Sequence, residues 1–267
     1  YEEEQNQVAI TKTYEETKAT VIFGIRACDV AAIDRFDKAF LTLGYEENYY
    51  KQRRENTIII ANACYQPGEN CFCESMGINP VGPGIADIVI RDTGDIYIWE
   101  KVTAQGEAIT ESIAEFLESK EVDLPVMKPF TAVANYEGVA EKLKDMFEHP
   151  IWDEFSSTCQ TCGICTYICP SCYCFDIQVK NWGEEGYRFR CWDSCMFTEY
   201  TEMAGGHNPR HQVKQRFRNR FLHKLQYFNE RYGVPLCTGC GRCIVTCPAG
   251  INMIEIINEI REVDIDA

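Results

Sequence analysis

Two short strings dominate this sequence. Cys159-x2-Cys162-x2-Cys165-x3-Cys169 ends on Pro170, and Cys237-x2-Cys240-x2-Cys243-x3-Cys247 ends on Pro248. Each packs four thiols into eleven residues at one spacing, and 68 positions separate Cys169 from Cys237. Thiols clustered this tightly suit metal ligation rather than long-range disulfide bridges. Any fold the chain adopts must therefore wrap around compact sulfur sites. Sixteen cysteines are about 6 % of the 267 residues, below the density of a disulfide scaffold. A reducing cytoplasm is the expected home, because free thiols and metal clusters persist there.

The spacing carries its own chemistry. A cubane offers four irons, and each takes one soft thiolate. Two-residue gaps let the backbone curl around three corners of one cube and point amide N–H groups at the sulfurs. Gly163, Gly239 and Gly241 let the chain pass close by. The full run is the bacterial ferredoxin signature for [4Fe–4S] ligation, in which the fourth cysteine reaches the other cluster. Pro170 and Pro248, lacking an N–H, help to redirect the chain there. The expectation is two [4Fe–4S] clusters, one held by Cys159, Cys162, Cys165 and Cys247, the other by Cys237, Cys240, Cys243 and Cys169. Zinc is the alternative, but zinc motifs pair two CxxC units and need neither a third cysteine at the same step nor the closing CP.

Eight further cysteines fall into two sets. Cys28 follows a strand-like run at a helix start, where backbone N–H groups and the helix dipole favour an anion. Cys64, Cys71 and Cys73 lie in a turn-rich loop, "CYQPGENCFC". Together these four are the right number for a third [4Fe–4S] cluster. The other readings are unliganded thiols packed in loops, or Asp29 standing in as an oxygen ligand. Cys172, Cys174, Cys191 and Cys195 read as small apolar residues packed near the clusters, with a further metal quartet as the alternative.

The chain divides by composition. "ATVIFGIRA" (19–27) reads as a buried strand, and the run from Asp29 as a helix with Asp29 as N-cap and Gly44 as its stop. "NTIIIANA" (56–63) is a second β-rich run, and 86–100 reads as a hairpin turning at Thr93-Gly94-Asp95. Helical patterns follow near 108–119 and 136–148. After Pro150 the strand signal disappears, leaving helices near 191–204, 210–231 and 251–262. The fold class is thus α+β, an N-terminal α/β domain (1–148) followed by an α-helical ferredoxin-type dicluster domain (149–267).

A net charge of −15 argues against nucleic-acid binding. One segment, 207–231, carries seven Lys/Arg against Glu230 alone. It reads as a solvated helix face, or else as a cationic surface near anionic clusters. No apolar run approaches the roughly 20 residues that span a bilayer, so no membrane insertion is expected. No signal peptide is visible, and a first residue other than Met leaves room for a preceding segment. Gly82-Pro83-Gly84 lacks the rest of a dinucleotide fingerprint, and no Ser/His/Asp or P-loop pattern occurs. No catalytic residue and no organic-cofactor site are therefore assigned.

The 68-residue, largely helical gap resembles the layout of α-helical ferredoxin modules in quinone-linked and heterodisulfide-linked reductases. A closer resemblance spans most of the chain. "FGIRACDVAAIDRFDKAFL", "RRENTIIIANAC", "CFCESMG", "CPSCYCFD", "WDSCMF" and "GHNPRH" are similar to the iron–sulfur beta subunit of soluble sulfhydrogenase-type [NiFe] hydrogenases. The related electron-input subunit of anaerobic sulfite reductase is similar too. The resemblance implies an electron-transfer subunit. It would stand between a partner that binds flavin and NAD(P) and a catalytic or further redox subunit. The alternative is a catalytic reductase acting on a disulfide-like substrate at the N-terminal cysteines. The absence of adjacent cysteines, which heterodisulfide-reducing subunits carry, counts against it.

Overall fold

The structure is a computed structural model that describes residues 18–265; the first seventeen residues of the expected α/β region lie outside the described residues. Strand β1 (Thr20–Arg26) leads into α1 (Ala27–Leu41), then α2 (Asn48–Glu55) and β2 (Thr57–Asn62). After the cysteine loop come β3 (Ile88–Asp92), β4 (Tyr97–Lys101) and α3 (Ala104–Ser112). The sheet order is β1-β2-β3-β4, parallel across the first two pairings and antiparallel in the closing hairpin.

The alternation of β2 decides what covers it. Ile59 and Ala61 join Val30 of α1 in one apolar cluster, whereas Ile60 joins Ile88 and Ile90 against Ile109 of α3. Successive side chains point to opposite faces, so a run apolar at every position is a strand covered on both. The expected hairpin over 86–100 is present. The expectation of a buried first strand is corrected: β1 is an edge strand whose Val21 and Phe23 are exposed. Its apolar run mimics a central strand, but among the described residues only β2 pairs with it. Asp29 is not the cap of α1 either. The helix begins at Ala27, and Asp29 lies in its first turn.

The remainder is built around one long helix: α7 (Val213–Leu222), a π-helical turn (His223–Tyr227) and α8 (Phe228–Tyr232). Phe217, Phe221, Leu222 and Leu225 form one side of the largest core. Against them pack α4 (Val139–Lys142), α5 (Ile151–Ser156) and α10 (Met253–Glu262). In α10 the buried Met253, Ile256, Ile257 and Ile260 follow the three-to-four-residue period of an amphipathic helix. The Trp152 indole, fully buried, donates to the Met146 carbonyl at 2.7 Å. Phe72 and Met76, from the first half of the sequence, also enter this core.

Three helical expectations shift. The one over 108–119 falls earlier, at α3 with a 3-10 turn at Ala114–Phe116. The one over 136–148 shortens to α4 followed by turns. The expected helix over 191–204 is absent: a hairpin of β5 (Phe175–Trp182) and β6 (Glu185–Trp192) ends there, followed by a loop with a 3-10 turn at Glu199–Thr201. Strands therefore do occur after residue 150. Between β5 and β6 only Gly183 and Glu184 turn the chain, with Gly183 at φ +59°, the backbone sign that tight hairpin turns require.

Candidate metal centre

The two cysteine strings fold alike. In the first, Thr161 and Gly163 both have positive φ, at 51° and 76°; in the second, the equivalent Gly239 and Gly241 do, at 62° and 71°. A short helix starts five residues after the first cysteine of each string: α6 (Ile164–Tyr167) and α9 (Arg242–Val245). These left-handed residues reverse the backbone twice within each string, so three successive cysteines face inward around a common space. Amide donors reach the sulfurs there. Gly239 N–H lies 3.5 Å from Cys237 Sγ, and Ile251 N–H lies 3.3 Å from Cys247 Sγ.

Two cavities result. Cys159, Cys162, Cys165 and Cys247 line the first, together with Cys243. Cys169, Cys237, Cys240 and Cys243 line the second. The fourth cysteine of each string thus lies in the cavity formed by the other string's first three. Arg220 lines both cavities.

The donor chemistry fits a cationic iron–sulfur core in each. Burial pushes the Cys237 thiol up to about 12, with Lys224 opposing, and the Cys240 thiol up to about 11. Buried thiols of this kind ionise when a metal supplies the compensating charge. Two of the buried polar atoms without a partner among the described residues, Arg220 Nε and Thr238 Oγ1, belong to residues that line the cavities. No three metal-binding side chains among the described residues converge on a single-ion point; the thiols are spread around open space.

The N-terminal four are also gathered. Cys28 sits in the first turn of α1, as expected, and packs with buried Cys73. Burial raises the Cys73 thiol to about 12, with the neighbouring sulfurs of Cys71 and Cys64 adding to it. Burial likewise raises Cys28 to about 12, reinforced by Asp29 and then by Cys240. This set abuts the second string. Phe72 N–H donates to the Gly239 carbonyl at 2.8 Å, and Cys71 Sγ approaches the Cys240 carbonyl at 3.9 Å. A Cβ on Gly239 would stand 2.5 Å from the Phe72 carbonyl oxygen, and one on Gly241 2.2 Å from that of Asn70. Arg242, inside the second string, forms a two-pronged ion pair with Asp29, the longer prong 2.8 Å. Asp29 therefore clamps the two regions together through its carboxylate.

The last four cysteines do not gather as one set: Cys174 and Cys195 pair with each other, while Cys172 pairs with Cys169. A hydrogen bond from Cys172, with help from Lys224, holds the Cys169 sulfur well below the usual thiol range despite burial. A hydrogen bond from Cys195 depresses Cys174 to about 6, against burial and with help from Tyr200. Cys191 faces Asp176 across the β5–β6 hairpin.

The basic segment corrects the simplest expectation for it. Arg216, Arg218, Arg220 and Lys224 are buried, at 2–7 % exposure, rather than forming a solvated face. Arg216 donates to the carbonyls of Met196, Arg210 and His211, tying down the loop after Cys195. Arg218 stacks on Phe147 at 3.6 Å and pairs with Glu148. Arg220 donates to the Cys165 carbonyl at 3.2 Å. Lys224 Nζ lies 3.1 Å from Cys169 Sγ and 2.9 Å from Ser171 Oγ. The π-helical turn leaves the Lys224 carbonyl free to accept from Leu236 and Cys237 N–H, at 2.9 and 3.3 Å, joining the helix to the second string. The signal was in the spacing: Arg216, Arg220 and Lys224 recur every four residues, and like charges so placed repel on a bare helix. Arg216 is satisfied by backbone carbonyls; Arg220 and Lys224 face the cysteine cavities.

A family model for a 4Fe-4S dicluster domain matches residues 158–251. Sulfhydrogenase 2 subunit beta of Pyrococcus furiosus is 33 % identical over 256 residues, covering 91 % of this chain and 74 % of that protein. The chain belongs to the sulfhydrogenase beta subunit family. As in the resemblance drawn from its motifs, this member of the family is an iron–sulfur protein with a 4Fe-4S dicluster domain. No solved structure matches it. Among the described residues of this beta-type subunit, no helix is long and apolar enough to cross a membrane.

Proposed function

We propose that the chain is the electron-transfer subunit of a multi-subunit cytoplasmic oxidoreductase of hydrogenase or sulfite-reductase type. It relays electrons between a partner that binds flavin and NAD(P) and a catalytic or further redox subunit. One [4Fe–4S] cluster is assigned to Cys159, Cys162, Cys165 and Cys247, a second to Cys237, Cys240, Cys243 and Cys169, and a third to Cys28, Cys64, Cys71 and Cys73. Each cluster supplies reversible one-electron exchange at a potential set by its surroundings.

The observation that carries this reading is the continuity of the three sulfur sites. The two cavities share Cys243 and Arg220 along their common wall. The second cavity's loop rests directly on the backbone of the Cys71–Cys73 loop. The chain's own residues do the rest. Phe72, Met253, Phe217 and Phe221 line the cavities and keep water away. Backbone amides and buried cations face the sulfurs. The α/β region, up to residue 148, and the cysteine-string region, from 149, then offer separate faces to separate partners.

The test is partner dependence. Reconstituted under anoxia, the isolated chain should be brown and bleach with dithionite, and it should show no NADH-driven dye reduction until a flavoprotein subunit is added. Robust NADH oxidation by the isolated, flavin-free chain would overturn the reading.

A further inference from the structure

Buried cations normally sit opposite buried anions, because an unpaired charge taken out of water costs several kcal/mol. On the long helix other cations find partners away from the cavities: Arg218 pairs with the exposed Glu148, the partly exposed Lys214 with the exposed Asp153, and buried Arg216 is held by three backbone carbonyls. Arg220 and Lys224 point the other way, toward sulfur. Arg220 is 5 % exposed and lies on the shared wall of both cavities. One of its nitrogens donates to the Cys165 carbonyl, while its Nε–H has no hydrogen-bond partner among the described residues. Lys224, 2 % exposed, lines the second cavity alone, its ammonium against Cys169 Sγ and Ser171 Oγ. The helix thus delivers one cation common to both sites and one private to the second. The four-residue step between them places both on the same stripe.

We propose that Arg220 and Lys224 form a fixed cationic ridge that raises the reduction potential of the clusters, Arg220 acting on both and Lys224 on the second only. The inference rests on the reading that the two cavities hold [4Fe–4S] clusters. Reduction adds one electron and no proton to a cluster that, with its four thiolates, is already anionic. A fixed positive charge in a low-dielectric wall therefore stabilises the reduced form more than the oxidised one. The unpartnered Nε–H adds a directional term, a donor for a cluster sulfur. The asymmetry follows from position: the second cluster faces two cations and the first faces one. Arg220 also stands between the two sites, so it favours an electron on either.

The experiment is an EPR-monitored potentiometric titration of the anoxically reconstituted full chain, with iron counted first. Arg220→Gln should shift both ferredoxin-type midpoints to more negative values. Arg220→Lys, which keeps the charge, should stay close to the parent. Lys224→Met should shift only the cluster assigned to Cys237, Cys240, Cys243 and Cys169. A purely structural role would not produce this one-versus-two pattern. If Arg220→Gln loads its iron fully and both midpoints stay in place, the inference is wrong. It is equally wrong if Arg220→Lys shifts both clusters as far as Arg220→Gln does. Should Arg220→Gln fail to take up iron, Lys224→Met decides: a shift confined to one cluster supports the ridge, and no shift or an equal shift in both refutes it. Failure of the parent chain to hold two clusters would instead remove the underlying reading, and the ridge with it.

Discussion

The two cysteine strings share a spacing, a pair of left-handed residues and a following helix, yet they occupy opposite environments. The first is the more open: Cys162, Ile164, Tyr167 and Ile168 are exposed, although Gly163 is buried against Phe197. The second is covered: Cys237, Thr238 and Gly239 are buried, and the loop carrying Cys71 and Cys73 lies across them. The contrast is sharpest at one position. The residue two after the first cysteine is Thr161 in the first string and Gly239 in the second, and both have positive φ. At Thr161, half-buried at the edge of the first cavity, a side chain is accommodated at the cost of some strain. Where the loop meets another backbone, only glycine fits. The spacing defines how the thiols are presented; what packs on the loop decides whether the site faces outward or joins the next site.

The largest effect expected from this comparison is an exchange of ligands between the strings. Cys169→Ala should cost the cluster served by Cys237, Cys240 and Cys243, a loss of about four iron atoms, and leave the other in place. Cys240→Ala should abolish the same EPR signal. Two variants that perturb different signals would break the crossed arrangement.

Next comes the glycine contrast. Gly239→Ala combines left-handed strain with backbone overlap, about 3 kcal/mol or more, a fall of roughly 6 °C or more in Tm. Thr161→Gly relieves strain but loosens the unfolded chain, so its net change should stay within about 1 kcal/mol. Thermal unfolding of both variants checks this. Equal effects at the two positions would show that the loops are not covered differently.

The smallest effect concerns the clamp between the regions. Asp29 and Arg242 are partly exposed, at 21 % and 37 %, so solvent screens their pairing. A double-mutant cycle with Asp29→Asn and Arg242→Met should return a coupling of about 1 kcal/mol. A coupling near zero would mean that the backbone contact at Gly239 and Gly241 alone joins them.

Much of the site was legible because cubane ligation imposes a spacing that few other needs impose. The string positions, the shared pattern and the reach of Cys169 and Cys247 follow from it. The sheet was legible where alternation was informative, as in β2 and the β3–β4 hairpin. Elsewhere local pattern was overridden. The apolar run of β1 could not reveal that, among the described residues, only β2 pairs with it. The β5–β6 hairpin is solvent-exposed on both faces, yet it was written in the sequence: Phe175, Ile177 and Val179 alternate with Asp176, Gln178 and Lys180, and Tyr187, Phe189 and Cys191 with Arg188 and Arg190, a strand period that the expectation of an all-helical second half passed over. The burial of Arg216, Arg218, Arg220 and Lys224 contradicts the ordinary preference of such residues for water. For Arg220 and Lys224, only the anionic sites beside them make sense of it. Their partners there, Cys165 and Cys169, each lie 55 positions away in the sequence.

The central claim is that the covered face of the second string joins a third sulfur site, making three stations in one chain. Iron and acid-labile sulfide counted on the anoxically reconstituted protein, alongside Cys64→Ser, test it most directly. Three clusters predict about twelve iron atoms in the parent and about eight in Cys64→Ser, with the ferredoxin-type EPR signals retained. A parent chain holding about eight, unchanged by Cys64→Ser, would contradict the claim and leave Cys28, Cys64, Cys71 and Cys73 as packing residues.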